Sequence, residues 1–261
     1  MIHPRPENHP TGLLLIGHGT NNERGKAEFL EVCSALSHQM PSLVVEPCFL
    51  ERTEPNISVA VDRLATAGVQ KAVAVPLLLF AAGHAKHDIP GAVTAAVANH
   101  WSLQISFGDP LNCHQAVLEL SAKRFQEAVA TQDQLKLDST MLLMIGRGSS
   151  DPSATEQMHR FVELRSSLIS VKKVLPCFLA MAEPSLKTAL AEAATSGAEN
   201  IVVQPHLLFQ GDLLKRLRLE VESASTQWPD CRWIVAEHLG PAPQITSAVI
   251  ERFKESIKVT T

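Results

Sequence analysis

His18, Glu51 and His84 are the side chains of this 261-residue chain whose types and settings could do chemistry together. His18 lies in Gly17-His18-Gly19-Thr20, Glu51 closes Phe49-Leu50-Glu51, and His84 opens His84-Ala85-Lys86-His87-Asp88-Ile89-Pro90. Each follows a short apolar run. Two imidazoles and a carboxylate brought to one place would make a metal or acid–base site. Neutral imidazoles suit divalent iron, cobalt and nickel without choosing among them. Two protein ligands leave most of the coordination sphere to exchangeable water, so the metal can depart; a structural site closes the sphere instead. A neighbouring carboxylate or imidazole can accept protons.

The elements that must position these groups are written twice. Leu13-Leu14-Leu15-Ile16-Gly17-His18-Gly19 lines up with Leu142-Leu143-Met144-Ile145-Gly146-Arg147-Gly148. Pro47-Cys48-Phe49-Leu50 with Glu54-Pro55 recurs as Pro176-Cys177-Phe178-Leu179 with Glu183-Pro184, and Pro76-Leu77-Leu78-Leu79-Phe80 as Pro205-His206-Leu207-Leu208-Phe209. These three matches share one offset, 147 − 18 = 129, whereas Arg124-Phe125 and Arg252-Phe253 differ by 128, so one residue was lost in between. The chain is a tandem duplication. Apolar runs at Leu13–Gly17, Leu43–Phe49, Ala72–Leu77 and Leu103–Phe107 predict buried parallel strands. Helical spacing predicts helices at 22–40, from Glu54-Pro55 to about Ala67 with proline at the first helical position, at 89–99 and at 113–130. The expected fold is α/β: two tandem βα domains, each with a parallel four-stranded, flavodoxin-like sheet. They span 11–130 and 139–261, with Thr131–Asp138 as linker and the second copy running from Met141.

Ligands of open α/β sheets bind beyond the carboxyl ends of the strands, which is where all three candidates fall. The duplication is an internal control. In the second copy His18 becomes Arg147, Glu51 becomes Ala180, and His84 becomes Asp212 or Leu213, depending on where the lost residue is placed. The glycines around His18, the Pro-Cys-Phe-Leu run and Glu54 persist in both, which assigns Glu54 to structure. The first copy therefore reads as catalytic and the second as a degenerate repeat.

Gly17-His18-Gly19-Thr20, Phe49-Leu50-Glu51 with Glu54-Pro55, and Gly83-His84 followed by Asp88-Ile89-Pro90 resemble the sirohydrochlorin chelatases, over nearly the whole chain and in the two-copy arrangement. The resemblance implies insertion of Co²⁺ or Fe²⁺, with Ni²⁺ also to be considered, into sirohydrochlorin without ATP, in cobalamin or siroheme biosynthesis. It implies His18 and His84 as metal ligands, with Glu51 or His84 relaying protons. The metal is then a substrate, and no permanently bound cofactor is expected. Sirohydrochlorin carries eight carboxylates, so cations are expected near the cleft: Lys86 beside His84, Lys215 and Arg216 in the matching segment of the second copy, and Arg147 in place of His18. The alternatives are a non-catalytic metal or tetrapyrrole carrier using the same ligands, and a histidine phosphatase. A phosphatase needs an arginine directly before its nucleophilic histidine, where this chain has Gly17.

Composition narrows the field. A net charge of −4 argues against general nucleic-acid affinity. The five cysteines lack CxxC spacing, which argues against disulfide, iron–sulfur and structural zinc frameworks and for a reducing cytoplasm. No apolar run is long enough for a membrane span, and residues 1–10 read as a polar lead-in without secretory layout. The partner that the resemblance implies is a small tetrapyrrole, and the two copies can pair within one chain, so a monomer with an internal pseudo-dimer is expected. His87 and the remaining histidines, His206 and His238 among them, read as structural or exposed.

Overall fold

Leu13, Leu14, Leu15 and Ile16 are all fully buried, as are Leu142, Leu143, Met144 and Ile145. A strand can bury consecutive residues only when both faces of its sheet are covered. The computed structural model describes residues 9–80 and 82–259, with the side chains of residues 83–85 and 259 outside that description. It consists of β1 (Thr11–Gly17), α1 (Glu23–Gln39), β2 (Leu43–Phe49), α2 (Ile57–Thr66), β3 (Lys71–Pro76), α3 (Gly83–Val97), β4 (Gln104–Phe107) and α4 (Gln115–Ala130). After a 3₁₀ turn at Leu137–Ser139 the plan repeats as β5 (Thr140–Gly146), α5 (Pro152–Ser166), β6 (Lys173–Phe178), α6 (Leu186–Thr195), β7 (Asn200–Pro205), α7 (Asp212–Gln227), β8 (Arg232–Val235) and α8 (Pro243–Val259).

The two sheets are parallel throughout, in the orders β2-β1-β3-β4 and β6-β5-β7-β8. Pro47 and Pro176 sit in the edge strands β2 and β6, where a missing N–H is tolerated. Alternation along the central strands divides the side chains between faces. Leu14, Ile16, Ala72 and Ala74 join an outer core with α2 and α3, and Met141, Leu143, Ile145 and Val203 join another with α6 and α7. Leu13, Leu15, Val73 and Val75 face inward and share one continuous core with Leu142, Met144 and Val202 of the other half.

The helices that fill the space between the sheets are exchanged. α4, from the first copy, packs on β7 and β8 and against α5, whereas α8, from the second, packs on β3 and β4 and against α1. α4 and α8 also pack against each other. Among the described residues no helix is long and apolar enough to cross a membrane.

Two boundaries differ from the sequence reading. α2 does not begin at Glu54-Pro55: that peptide bond is cis, the Pro55 carbonyl accepts the Phe49 N–H (2.9 Å), and Asn56 caps the helix through its side chain, with Ile57 the first helical residue. The second copy repeats this with cis Glu183-Pro184 and Ser185 as cap. Glu54 keeps a structural role, its carboxylate accepting the Asn56 N–H at 2.7 Å, as Glu183 does from Ser185. α3 begins at Gly83, six residues before the expected start, and carries Pro90 inside it. Pro90 is the eighth residue of that helix, past the first turn that tolerates a proline, and reading a helix boundary just ahead of it was the error.

Candidate functional site

β1 ends at Gly17, and the chain must turn at once towards α1. Gly19 makes that turn at φ 104°, and a side chain there would collide with the carbonyl oxygen of Glu51. Backbone bonds from Leu50 N to Gly17 O (2.9 Å) and from Glu51 N to His18 O (3.1 Å) hold the two strand ends together. His18 and Glu51 are therefore delivered side by side, with His18 Nδ1 3.3 Å from Glu51 Oε1. The same oxygen lies 3.2 Å from Arg52 Nε. Arg52 adopts φ 64°, in the left-handed region that favours glycine. α1 is then capped by Asn22, whose side chain accepts the Gly25 N–H.

His84 falls in the first turn of α3 rather than in a loop, and its side chain lies outside the described residues. Among the described residues no three His, Cys, Asp or Glu side chains cluster as a metal site; His18 and Glu51 stand as a pair. Helix starts settle the alignment that the sequence left open. Gly83 and Asp212 both begin their helices at the offset 212 − 83 = 129, whereas β4 and β8 begin at 232 − 104 = 128. The lost residue thus lies between, and His84 corresponds to Leu213.

The proton affinity of His18 is lowered. Partial burial is the largest cause, followed by the positive charge of Arg147, which reaches it from the other half; Glu51 opposes both and Arg52 adds to them. The imidazole is thereby biased to its neutral, metal-binding form. The counterpart backbone is intact in the second copy: Gly148 has φ 85°, faces the Ala180 carbonyl just as closely, and Leu179 N and Ala180 N bond to Gly146 O and Arg147 O, each at 3.0 Å. What differs is the side chains. Arg147, Ala180 and Met181 stand where the first copy has His18, Glu51 and Arg52. Met181 is 62% exposed, at φ 56°.

The expected cations are spread over both halves. Lys86 Nζ lies 3.3 Å from Asp151 Oδ2 and bonds Ser153 Oγ, so α3 is tied to the N-terminus of α5. Lys215 is exposed and makes no ion pair among the described residues. Arg216 is occupied by Glu220, Nε to Oε1 at 2.7 Å. The sequence reading missed Arg52, although the contrast between copies that singled out Glu51 also separates Arg52 from Met181. It also missed the Asp151 partner of Lys86, for which no sequence signal exists.

Comparison with known proteins agrees with this fold. The family model described as CbiX matches residues 12–128 and again 141–256. The chain is 29% identical over 247 residues to a sirohydrochlorin cobaltochelatase of Priestia megaterium, covering 94% of this chain and 80% of that one. It is likewise 29% identical to a sirohydrochlorin ferrochelatase of Bacillus subtilis, covering 94% and 91%. The solved structure of SirB from Bacillus subtilis with Fe³⁺ superposes with TM-score 0.84 at 27% identity, over 94% of this chain and 95% of that one. SirB of the subspecies spizizenii in complex with cobalt superposes at 0.79, also at 27% identity, over 95% of each chain. The resemblance read from the two histidine motifs and the repeat is borne out: the chain belongs to the CbiX family of sirohydrochlorin chelatases, with the family unit present twice.

Proposed function

We propose that this protein is a metal chelatase that inserts Co²⁺ or Fe²⁺ into sirohydrochlorin without nucleotide hydrolysis. The observation that carries the reading is the contrast between the copies. One backbone frame presents His18 beside Glu51 in the first half and Arg147 beside Ala180 in the second, so the metal-handling groups survive only once. Cobalt and iron are the metals in the names of the relatives, and the proposal is confined to them.

The chemistry follows from the residues. Insertion exchanges two pyrrole N–H protons for one divalent metal. His18 and His84 hold the incoming ion through neutral imidazoles, leaving its other positions to water that the macrocycle nitrogens displace. With Glu51 beside Nδ1 of His18, Nε2 is the nitrogen left for the metal, and the carboxylate orients the ring. Glu51 then takes a released proton, and His84, once the metal has left it, takes the other. The second half, 139–261, serves as receptor for the substrate's carboxylates through Arg147 and Lys215, with Lys86 and Arg216 available once released from Asp151 and Glu220. The protein acts in the cytoplasm as a monomer, the first half (11–130) carrying the reaction.

Anaerobic turnover of sirohydrochlorin with each metal, followed by absorbance in wild type and His84→Ala, tests this. Multiple turnovers that vanish in the variant support a chelatase. Tight binding with no acceleration over the uncatalysed rate would leave a carrier instead.

A further inference from the structure

Arg165, on α5, is completely buried, and among the described residues it pairs with no carboxylate. Its Nε donates to Ser121 Oγ (3.1 Å) and its Nη2 to the Ser121 carbonyl (3.2 Å), with the guanidinium 5.8 Å from the centre of the Phe125 ring. Gln204, on β7 and equally buried, donates from Nε2 to the same Ser121 carbonyl (2.7 Å) and hydroxyl (3.0 Å). Among the described residues Nη1 of Arg165 and Oε1 of Gln204 find no partner, so one serine supplies most of what compensates two buried polar side chains. That serine comes from α4, the helix contributed by the other copy.

The first half shows what this arrangement replaced. By the offsets of the duplication, Arg165 corresponds to Leu36, Gln204 to Val75 and Ser121 to Val249, all fully buried in the core where α8 closes the first sheet. The shared core is thus polar at three facing positions beside the second sheet and apolar at the same three beside the first. The polar members come from both copies and meet only because α4 and α8 are exchanged.

We propose that Ser121, Arg165 and Gln204 specify which helix closes which sheet. The two copies share one backbone plan, so each sheet could be closed by the helix of its own copy. In that arrangement Val249 would face Arg165 and Gln204 with a backbone carbonyl but no hydroxyl, leaving one N–H of the guanidinium and one of the amide buried without an acceptor, and Ser121 would face Leu36 and Val75. Apolar packing alone ranks the two pairings as near equals, because hydrophobic burial is non-directional. Buried polar groups do not, since an orphaned one is strongly disfavoured. This matches the best-attested use of such groups, the setting of partner and register. It is independent of the reaction proposed above.

The test replaces the network by the residues found beside the first sheet, in Ser121→Val/Arg165→Leu/Gln204→Val. Isoleucine methyl spectra then report on Ile234 of β8 and Ile245 of α8, both in the shared core. Wild type is expected to give one δ1-methyl resonance for each. The triple variant is expected to give two sets, one per pairing, and a single set at the wild-type positions would overturn the proposal. Should the triple variant not stay soluble, the single variants decide. Ser121→Val is expected to lower the urea midpoint further than Val249→Ser, because it takes the acceptor from one N–H of Arg165 and one of Gln204, leaving each only the backbone carbonyl, where the reverse change takes an acceptor from none. An equal or smaller fall would overturn it.

Discussion

Arg124 and Arg252 are the same residue of the two copies, and each donates to the loop that leads into the other's helix. Arg124 Nη2 bonds the Leu239 carbonyl at 3.0 Å, and Arg252 Nη2 bonds the Leu111 carbonyl at 3.2 Å. Leu111 and Leu239 are themselves counterparts, so the contact is reciprocal and follows the pseudo-twofold relation between the halves. Because α4 and α8 are exchanged, each arginine pins a helix of one copy to the strand-end loop of the other.

That reciprocity has a measurable cost when broken. Arg252 also donates through Nε to the Pro110 carbonyl (3.1 Å), so Arg252→Ala removes two bonds to loop carbonyls, although Leu111 keeps the His114 N–H (3.0 Å), whereas Arg124→Ala removes one. Losses of about 1–3 kcal/mol are expected, larger for Arg252. Urea unfolding of both variants checks the order, and equal effects would contradict it.

Acid stability should turn on His206. Its ring is completely buried, 4.1 Å from the centre of Phe161 and 5.2 Å from that of Phe80, and burial pushes its pKa down from 6.5 to about 3. The folded state refuses a proton that the unfolded chain accepts. Stability from this group is therefore complete above about pH 6.5 and drains away as pH falls towards 3, by about 1.4 kcal/mol per pH unit. His206→Leu, which restores the residue found at Leu77, is expected to flatten the stability profile between pH 6 and pH 4. An unchanged slope in a pH series of urea melts would assign the acid sensitivity elsewhere.

Much of this molecule is legible in its sequence, for a specific reason. Duplication converts one sequence into a comparison, and the persistence of Gly19 as Gly148 beside the loss of His18 separates backbone geometry from chemistry. What escaped was set by tertiary packing. Nothing in the pattern 113–130 says that α4 serves the second sheet, because an apolar helix face reads the same whichever sheet it covers. The cis Glu54-Pro55 bond looked like a helix start, since proline at the first helical position and proline before a cap differ only in backbone path. Arg165 and Gln204 stand in runs otherwise read as core, and only the folded chain shows that Ser121 answers both.

Metal binding should persist into mildly acidic solution. The lowered proton affinity of His18 keeps its imidazole neutral further into acid than an ordinary histidine. Removing the Arg147 charge takes away one cause of that shift, so Arg147→Ala is expected to move the midpoint of Co²⁺ binding to higher pH. Glu51→Gln removes the opposing charge and should move it lower. Calorimetric titrations across pH 5–8 measure both directions, and a midpoint unmoved in Arg147→Ala would show that the second half does not influence the metal.

The close approach of Gly148 to the Ala180 carbonyl carries a consequence for the history and engineering of the fold. The second half lacks the His18–Glu51 pair but keeps the backbone that presents it in the first. Arg147→His, Ala180→Glu and Leu213→His would repopulate that backbone, and the expected outcome is a chain binding two equivalents of Co²⁺ where the parent binds one. Selection can discard a side chain in one step, whereas a strand end shaped around a missing Cβ is tied to the core beneath it. The strand end of the second half is best described as a socket that outlived its first contents, kept because dismantling it would unseat its neighbour.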